Sequence, residues 1–364
     1  MINLVQNKEQ IMADITARDL ANMLGISTAA VSMALNGKPG VSSETRTKVL
    51  AAATKLGYVT PKSRQSERQA KNIVSFVIYV GVGVAEQTTF STFVMRGAEA
   101  AAKEMGYRIL VHYFYADQPW DDQVKRILSD TCGVVMLGTD ITPPQRDAFL
   151  QFYTLGNVPL VIIDNFLFSA YVDCVGNDNT YGVKSAVSHL INCGHKKIGY
   201  LRSKQRIVNF DDRELGIHLS MVEHKDQGLA PLQVIDVDIS PDKAREDIFA
   251  WLRAGNVPAE AFFCENDMLA AAFIRVLKES GYRVPEDVSV MGFDDVQICE
   301  MIDPPITTMH AFKERLGRIS VELLHTRIEA GDTIQTSQET GLMKVALSLQ
   351  LKERKSVSCR KARE

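Results

Sequence analysis

Two fold classes share this chain: a small all-α head and an α/β body of two doubly wound parallel-sheet lobes. Three observations predict them. Residues 15–57 show helical periodicity with no strand-like apolar run. From residue 73 onward, short uninterrupted apolar runs alternate with helical stretches, as strands buried on both faces require. That alternation then occurs a second time, which implies two similar α/β halves with a cleft between them.

In the head, Ile15–Leu35 reads as two short helices joined by a tight turn. Thr16 caps the first, with Asp19 three residues on, and Leu20, Met23 and Leu24 supply its apolar face. Gly25 sits at the sharp turn, a position that often needs positive φ. Ser27 recaps the chain, and Val31 and Leu35 give the second helix its buried side. Ala21, Gly25 and Val31 fall at offsets of four and ten, which lets two helices cross closely in a helix-turn-helix; on those residues alone an ordinary helical hairpin fits equally well. After a loop at Asn36–Gly40, Ser42 or Ser43 caps a third helix through about Leu56. Val49, Ala53 and Leu56 complete the core and Gly57 ends the helix.

The body opens with the apolar run Ile73–Val80. Helical periodicity follows in Phe93–Met105, then the runs Tyr107–Phe114, Gly133–Leu137 and Pro159–Asp164, with a helix at Trp120–Ser129 and another before Pro159. The second half repeats the pattern with runs at Lys197–Leu201, Val234–Val237, Ala261–Cys264 and Val288–Gly292. Its helices start at Asp211 and span Pro241–Ala254 and Asp267–Gly281. Helix Phe312–Ala330 and the apolar segment Leu342–Leu351 are expected to pack on the body, and 352–364 to form a disordered charged tail. The expected divisions are 12–58 for the head, 59–72 for a linker, 73–351 for the two-lobed domain and 352–364 for the tail. Met12 competes with Met1 as the start.

The formal charge of −3 is unevenly spread. Residues 1–72 hold ten Lys/Arg and five Asp/Glu, hence +5, and the remainder 31 and 39, hence −8. A basic head on an acidic body suits a head that meets a polyanion. No apolar run reaches the length of a membrane span, and the first residues lack the pattern of a secretory signal. Six scattered cysteines without CxxC spacing predict reduced, buried thiols in a cytoplasmic protein. Gly81-Val82-Gly83 lacks the third glycine of a dinucleotide fingerprint, no phosphate-binding or nucleophile-elbow motif occurs, and His189 and His195 do not share a helical face. The reading is therefore not an enzyme, with no cofactor and no metal.

Polar residues just beyond the apolar runs face the cleft in such a sheet: Asp164, Arg213, Asn266 with Asp267, and Asp294 with Asp295. Asp, Asn and Arg provide the hydrogen bonds that grip sugar hydroxyls, a carboxylate or a phosphate. Asp267 reads better as a helix cap, and Asp295 as a turn residue.

The head carries Thr16, Asp19, Leu20, Ala21, Gly25, Ile26, Ser27, Val31, Ser32, Ala34-Leu35-Asn36-Gly37, Val41-Ser42, Glu44-Thr45-Arg46, Lys48-Val49 and Leu56-Gly57-Tyr58. The body carries His189–Leu201, Asn266–Ala270, Gly281–Asp295 and Asp303–Thr308. Together these closely resemble the LacI/GalR transcription regulators, with their periplasmic-binding-protein-like core, over residues 15–350. The resemblance implies a homodimer that lays its second helices in the major groove of a pseudo-palindromic operator. It implies phosphate contacts from Thr16, Ser32, Asn36 and Thr45 with Ser27 beside them, and base reading by Thr28, Ala29 and Met33. It assigns effector binding to Asp164, Arg213, Asn266 and Asp294, with Phe90 as a stacking aromatic. The implied effector is a sugar or sugar derivative; purines and phosphorylated sugars also fit these residues. Two departures stand out. Met33 replaces the Arg or His of well-known members, and the linker carries Pro61 and Glu67 with no leucine to wedge into a minor groove, although Lys62, Arg64, Arg68 and Lys71 can follow phosphates. The rival readings are a solute-binding receptor and a sugar-metabolism enzyme, both of which use the body alone.

Overall fold

A computed structural model describes residues 17–35, 40–55, 72–84, 89–145 and 157–360. The chain divides into two compact units between Ala70 and Lys71.

The first unit holds α1 (Ala17–Leu24), α2 (Thr28–Leu35) and α3 (Ser43–Lys55). Leu20, Ala21, Val31, Ala34, Val49 and Ala53 fill its core. Gly25 has φ +63°, and the amide of Ile26 returns to the Ala21 carbonyl at 3.1 Å, so a left-handed residue ends α1. Ser27 Oγ accepts from the Ala30 amide at 3.1 Å, and Ser42 Oγ from the Thr45 amide at 3.1 Å, so Ser42 is the cap of α3. Met23 departs from expectation: it is 63% exposed, because Leu20, Ala21 and Leu24 already occupy the inner face. Thr16, Asn36, Leu56, Gly57 and nearly all of the linker lie outside the described residues.

The second unit contains two six-stranded sheets. The first sheet has β1 (Ile73–Val80), β2 (Arg108–Tyr115), β3 (Gly133–Leu137), β4 (Leu160–Ile163), β5 (Asp173–Asn177) and a late strand, β11 (Lys344–Leu347). Its order is β11-β5-β4-β3-β1-β2, all parallel. The second has β6 (Ile198–Ser203), β7 (Gln233–Val237), β8 (Ala261–Cys264), β9 (Ser289–Asp294), β10 (Thr307–His310) and β12 (Gln350–Lys352). Its order, β12-β10-β9-β8-β6-β7, repeats that of the first, except that β12 runs antiparallel. α4 (Phe90–Glu104) and α5 (Trp120–Leu128) cover the first sheet. α6 (Asn179–Asn192), α7 (Val208–Glu223), α8 (Pro241–Arg253) and α9 (Asp267–Glu279) cover the second.

The chain passes between the lobes after β5, after β10 and between β11 and β12. After a short α10 (Ile298–Met301), α11 (Lys313–Ala330) returns from β10 to the first lobe and packs on α4. A Cβ on Gly97 of α4 would overlap the Glu314 carbonyl, and one on Gly317 would overlap the Val94 carbonyl, so the two helices cross backbone to backbone. α11 is also held by a buried ion pair: Arg327 Nε and Nη2 donate to the two carboxylate oxygens of Asp173 on β5 at 2.7 and 2.9 Å.

Among the described residues no helix is long and apolar enough to cross a membrane. Two expectations are corrected here. The tail is not disordered through 352–360. β12 opens it, Ser356 is fully buried, and its Oγ donates to Val290 O at 2.6 Å while accepting from the Thr307 amide at 2.8 Å. Its many charges hid the alternation of inward residues. The cysteines are not all reduced: Cys193 and Cys359 are joined in a disulfide, because this segment ends against the C-terminus of α6.

Candidate functional site

The strand ends converge on one small cavity in the second unit, lined by residues that include Phe90, Thr139, Asp164, Asn209, Arg213, Asn266 and Asp294. Each follows the carboxyl end of a parallel strand, where open α/β sheets present side chains to ligands. All five residues assigned to effector binding (Phe90, Asp164, Arg213, Asn266 and Asp294) line it. The cavity encloses about 30 Å³, room for a water or two and not for a sugar ring.

Arg213, on the second turn of α7, is 4% exposed, and each of its three nitrogens donates a hydrogen bond. Its Nη2 donates to Asp294 Oδ1 at 3.1 Å, its Nε to Asn179 Oδ1 at 3.0 Å, and its Nη1 to the Glu265 carbonyl. Its guanidinium lies over the Phe293 ring, 3.8 Å from the centroid. Facing it from the other lobe, Asp164 accepts at Oδ2 from Thr139 Oγ1 at 2.8 Å, while its buried Oδ1 has no partner among the described residues. Burial pushes the Asp164 carboxyl up to about 7, partly offset by the Thr139 hydrogen bond and by Arg213. Asp164 and Asp294 both hold positive φ, +61° and +100°, and backbone strain of this kind is concentrated at ligand clamps.

Asn266 Oδ1 accepts from the Leu269 amide at 2.8 Å, so it caps α9 as well as lining the cavity. That displaces Asp267 from the capping role expected of it. Asp267 is instead buried, with Oδ1 accepting from Thr308 Oγ1 at 2.6 Å and Oδ2 from the Val296 amide at 2.9 Å. Burial, with the nearby Asp294 adding to it, lifts its carboxyl to about 7. Asp295 does more than hold a turn: it pairs with His310 at 2.7 Å and with Arg354 at 2.8 Å.

Sequence reasoning missed two participants. Asn209 joins the lobes, donating from Nδ2 to the Asp164 carbonyl at 3.1 Å and accepting at Oδ1 from Asn179 Nδ2 at 3.2 Å. Thr139 holds Asp164. Asn209 lies four residues, one helical turn, before Arg213, a detectable signal; Thr139 stands in a loop with none.

In the head, Ser27, Thr28, Ala29 and Ser32 are exposed, and Thr28, Ala29 and Ser32 share one face of α2. Met33 is half-buried with its sulfur against Gly40, so it stands less free than its place implied. Thr45 Oγ1 is 2.8 Å from Ser42 Oγ at the start of α3. Among the described residues, no group of three or more His, Cys, Asp or Glu is arranged to hold a metal.

Residues 16–61 match the bacterial regulatory proteins of the lacI family, and residues 187–357 a periplasmic binding protein-like domain. The chain is 28% identical over 319 residues to the HTH-type transcriptional repressor PurR of Photobacterium profundum, covering 86% of this chain and 92% of that protein. It is likewise 28% identical to the HTH-type transcriptional regulator GalS of Salmonella typhimurium, over 85% of this chain and 88% of that one. Among solved structures it is similar to a transcriptional regulator CelR–cellobiose complex, with a TM-score of 0.63 and 25% identity over 94% of this chain and all of that one. A lac repressor dimer bound to operator shares the fold, with a TM-score of 0.65, 23% identity, and coverage of 94% and 99%.

Proposed function

The chain belongs to the LacI/GalR family of DNA-binding transcription regulators, and from that premise we propose how its residues divide the work of an effector-controlled repressor. It acts as a homodimer in the cytoplasm on a pseudo-palindromic operator. Within a head of residues 12–58, Thr16, Ser27, Ser32, Asn36 and Thr45 hold phosphates and fix register. Thr28, Ala29 and Met33 face bases. With no arginine among them, sequence is read through thymine methyls and DNA shape. Residues 59–72 link the head to the two-lobed body.

The effector binds among Phe90, Asp164, Arg213, Asn266 and Asp294, and the observation that carries this reading is the Oδ1 of Asp164, orphaned among the described residues, opposite an arginine whose three nitrogens each already donate. A ligand there gains most by donating a hydroxyl to Asp164. The polar side chains around the cavity favour a neutral, hydroxyl-rich molecule over a phosphorylated one, because the Asp164 and Asp294 carboxyls line it opposite Arg213, whose guanidinium Asp294 already engages. A neutral sugar fits. Since the closed cavity has no room for it, binding requires the lobes to part, and an effector with different affinity for the two arrangements shifts operator affinity reciprocally.

Fluorescence anisotropy against a randomised operator pool, with and without neutral sugars, sugar phosphates and purine bases, tests this. Selection of a palindrome whose affinity shifts with one neutral sugar supports the whole reading. A shift with a sugar phosphate or a purine alone keeps the regulator and discards this effector class.

A further inference from the structure

Residues 353–360 form a strap along the second sheet, and none of them lines the effector cavity. Lys355 N donates to Pro305 O at 3.0 Å, Val290 N to Ser356 O at 2.8 Å, and Arg360 N to Cys193 O at 2.8 Å. His195 Nε2 lies 2.9 Å from the Ser358 carbonyl. The strap ends where Cys359 meets Cys193, 166 positions earlier in the chain and at the C-terminal cap of α6.

The six cysteines divide sharply. Cys132, Cys174, Cys264 and Cys299 are buried thiols outside the disulfide, and burial raises the thiols of Cys174, Cys264 and Cys299 above their ordinary range. Cys359 is exposed, while Cys193 is 5% exposed beneath it. A reagent in solution therefore reaches one sulfur, with a second already in bonding position, which is the arrangement of an attacking and a resolving cysteine.

We propose that Cys193 and Cys359 form a reversible thiol–disulfide modification site that locks and releases the C-terminal strap. The oxidant is a low-molecular-weight disulfide and the reductant the corresponding thiol. The Cys359 thiolate attacks the small disulfide, forming a mixed disulfide and expelling one thiolate. The Cys193 thiolate then attacks the Cys359 sulfur and expels the second. Two protein thiols and one small disulfide become one protein disulfide and two small thiols; reduction runs the same steps backward.

The lock reaches beyond the strap. Arg354 on the same segment donates to the Ile306 carbonyl at 3.0 Å and pairs with Asp295 at 2.8 Å. Asp295 directly follows Asp294 at the end of β9, so release of the strap loosens the loop that carries the partner of Arg213. The two Val290 contacts with Ser356 report the same event in the middle of the strap.

The test uses the full-length protein equilibrated in oxidised or reduced glutathione, denatured and alkylated without further reduction. Of six cysteines, the oxidised form takes up four labels (six minus two) and yields one cross-linked peptide pair, Cys193 with Cys359; the reduced form takes up six. Hydrogen exchange at the Val290 amide and across 289–296 is slower in the oxidised protein, and Cys359→Ser exchanges at the reduced rate in both buffers. Six labels after oxidised glutathione, a glutathione adduct on Cys359 that fails to close, a cross-link to another cysteine, or identical Val290 exchange in the two states each overturns the proposal.

Discussion

Asn209 donates its Nδ2 hydrogen to the main-chain oxygen of Asp164 at 3.1 Å, tying the helix that carries Arg213 to a strand end of the opposite lobe. The bond holds the Asp164 backbone, while its buried Oδ1 has no partner among the described residues. An unmet buried acceptor costs the closed cleft free energy, which a ligand hydroxyl donated to Oδ1 would recover.

The titration of Asp164 makes that visible. Burial lifts its carboxyl from 3.8 to about 7, and burial lifts those of Glu265 and Asp267 to about 7 as well. Over that range the folded protein keeps protons that the unfolded chain has released. Stability from these groups is therefore full below the ordinary carboxylate range and falls as pH rises through about 7. The melting temperature of the effector-free protein should decline between about pH 5 and pH 8, and less steeply in Asp164→Asn. A sugar hydroxyl donated to Oδ1 favours the ionised carboxylate, so effector affinity should rise with pH, by at most about tenfold per unit, with release of a proton. Titration calorimetry in buffers of different ionisation enthalpy reads that proton, and proton uptake on binding would contradict the assigned contact.

Arg213 braces the fold through Asp294 and, in the proposed reading, also holds the effector. Truncation to alanine strands Asp294 without its partner, and loss of one member of a buried pair costs about 3–5 kcal/mol. Arg213→Ala should therefore lower the denaturation midpoint and abolish the effector response while operator binding persists below that midpoint. Adding Asp294→Asn should recover part of the stability and none of the effector response. Recovery of both would mean that the pair only braces the fold.

The crossing of α4 and α11 rests on Gly97 and Gly317, each facing the other helix's backbone. A valine at position 97 must push α11 off the first lobe, since a backbone carbonyl cannot rotate aside as a side chain does. Gly97→Val should cost about 3 kcal/mol or more in urea unfolding, whereas Gly106→Ala, at an open turn with φ +79°, should cost about 1 kcal/mol through its backbone alone. Equal costs would show that the helices part more easily than their spacing indicates.

Legibility in the sequence followed how a segment hides its side chains. β1, β3, β4 and β8 are covered on both faces and therefore spell uninterrupted apolar runs; they stood out at once. β5 (DCVGN) did not, because Asp173 is buried against Arg327, a partner 154 residues away that no local pattern can reveal. β10, whose Thr308 bonds the buried Asp267, was masked in the same way. The apolar segment 342–351 was visible, but its division between two sheets was not, since β11 and β12 are edge strands with alternating exposure that belong to different lobes. The assigned cavity residues are legible through family resemblance and Asn209 through its place one helical turn before Arg213, whereas Thr139 acts by a geometry that spacing does not encode.

The outer face of α2 offers a last prediction. Thr28, Ala29 and Ser32 are exposed, small and uncharged, so if Thr28, Ala29 and Met33 read the bases as proposed, discrimination comes from methyl contacts and shape rather than bidentate hydrogen bonds. In an operator recovered by selection, replacing the contacted thymine with uracil removes a single methyl group and leaves every hydrogen-bonding edge intact. For the wild type this should weaken binding by about 1 kcal/mol, roughly fivefold. In Ala29→Ser the methyl partner is gone while the helix is kept, so the same substitution should weaken binding by less than twofold. Ser32→Ala, by contrast, removes a phosphate donor and should weaken thymine and uracil operators equally. A double-mutant cycle measured by anisotropy at fixed salt separates the three, and a zero coupling between Ala29 and the methyl would move base reading to another side chain of the head.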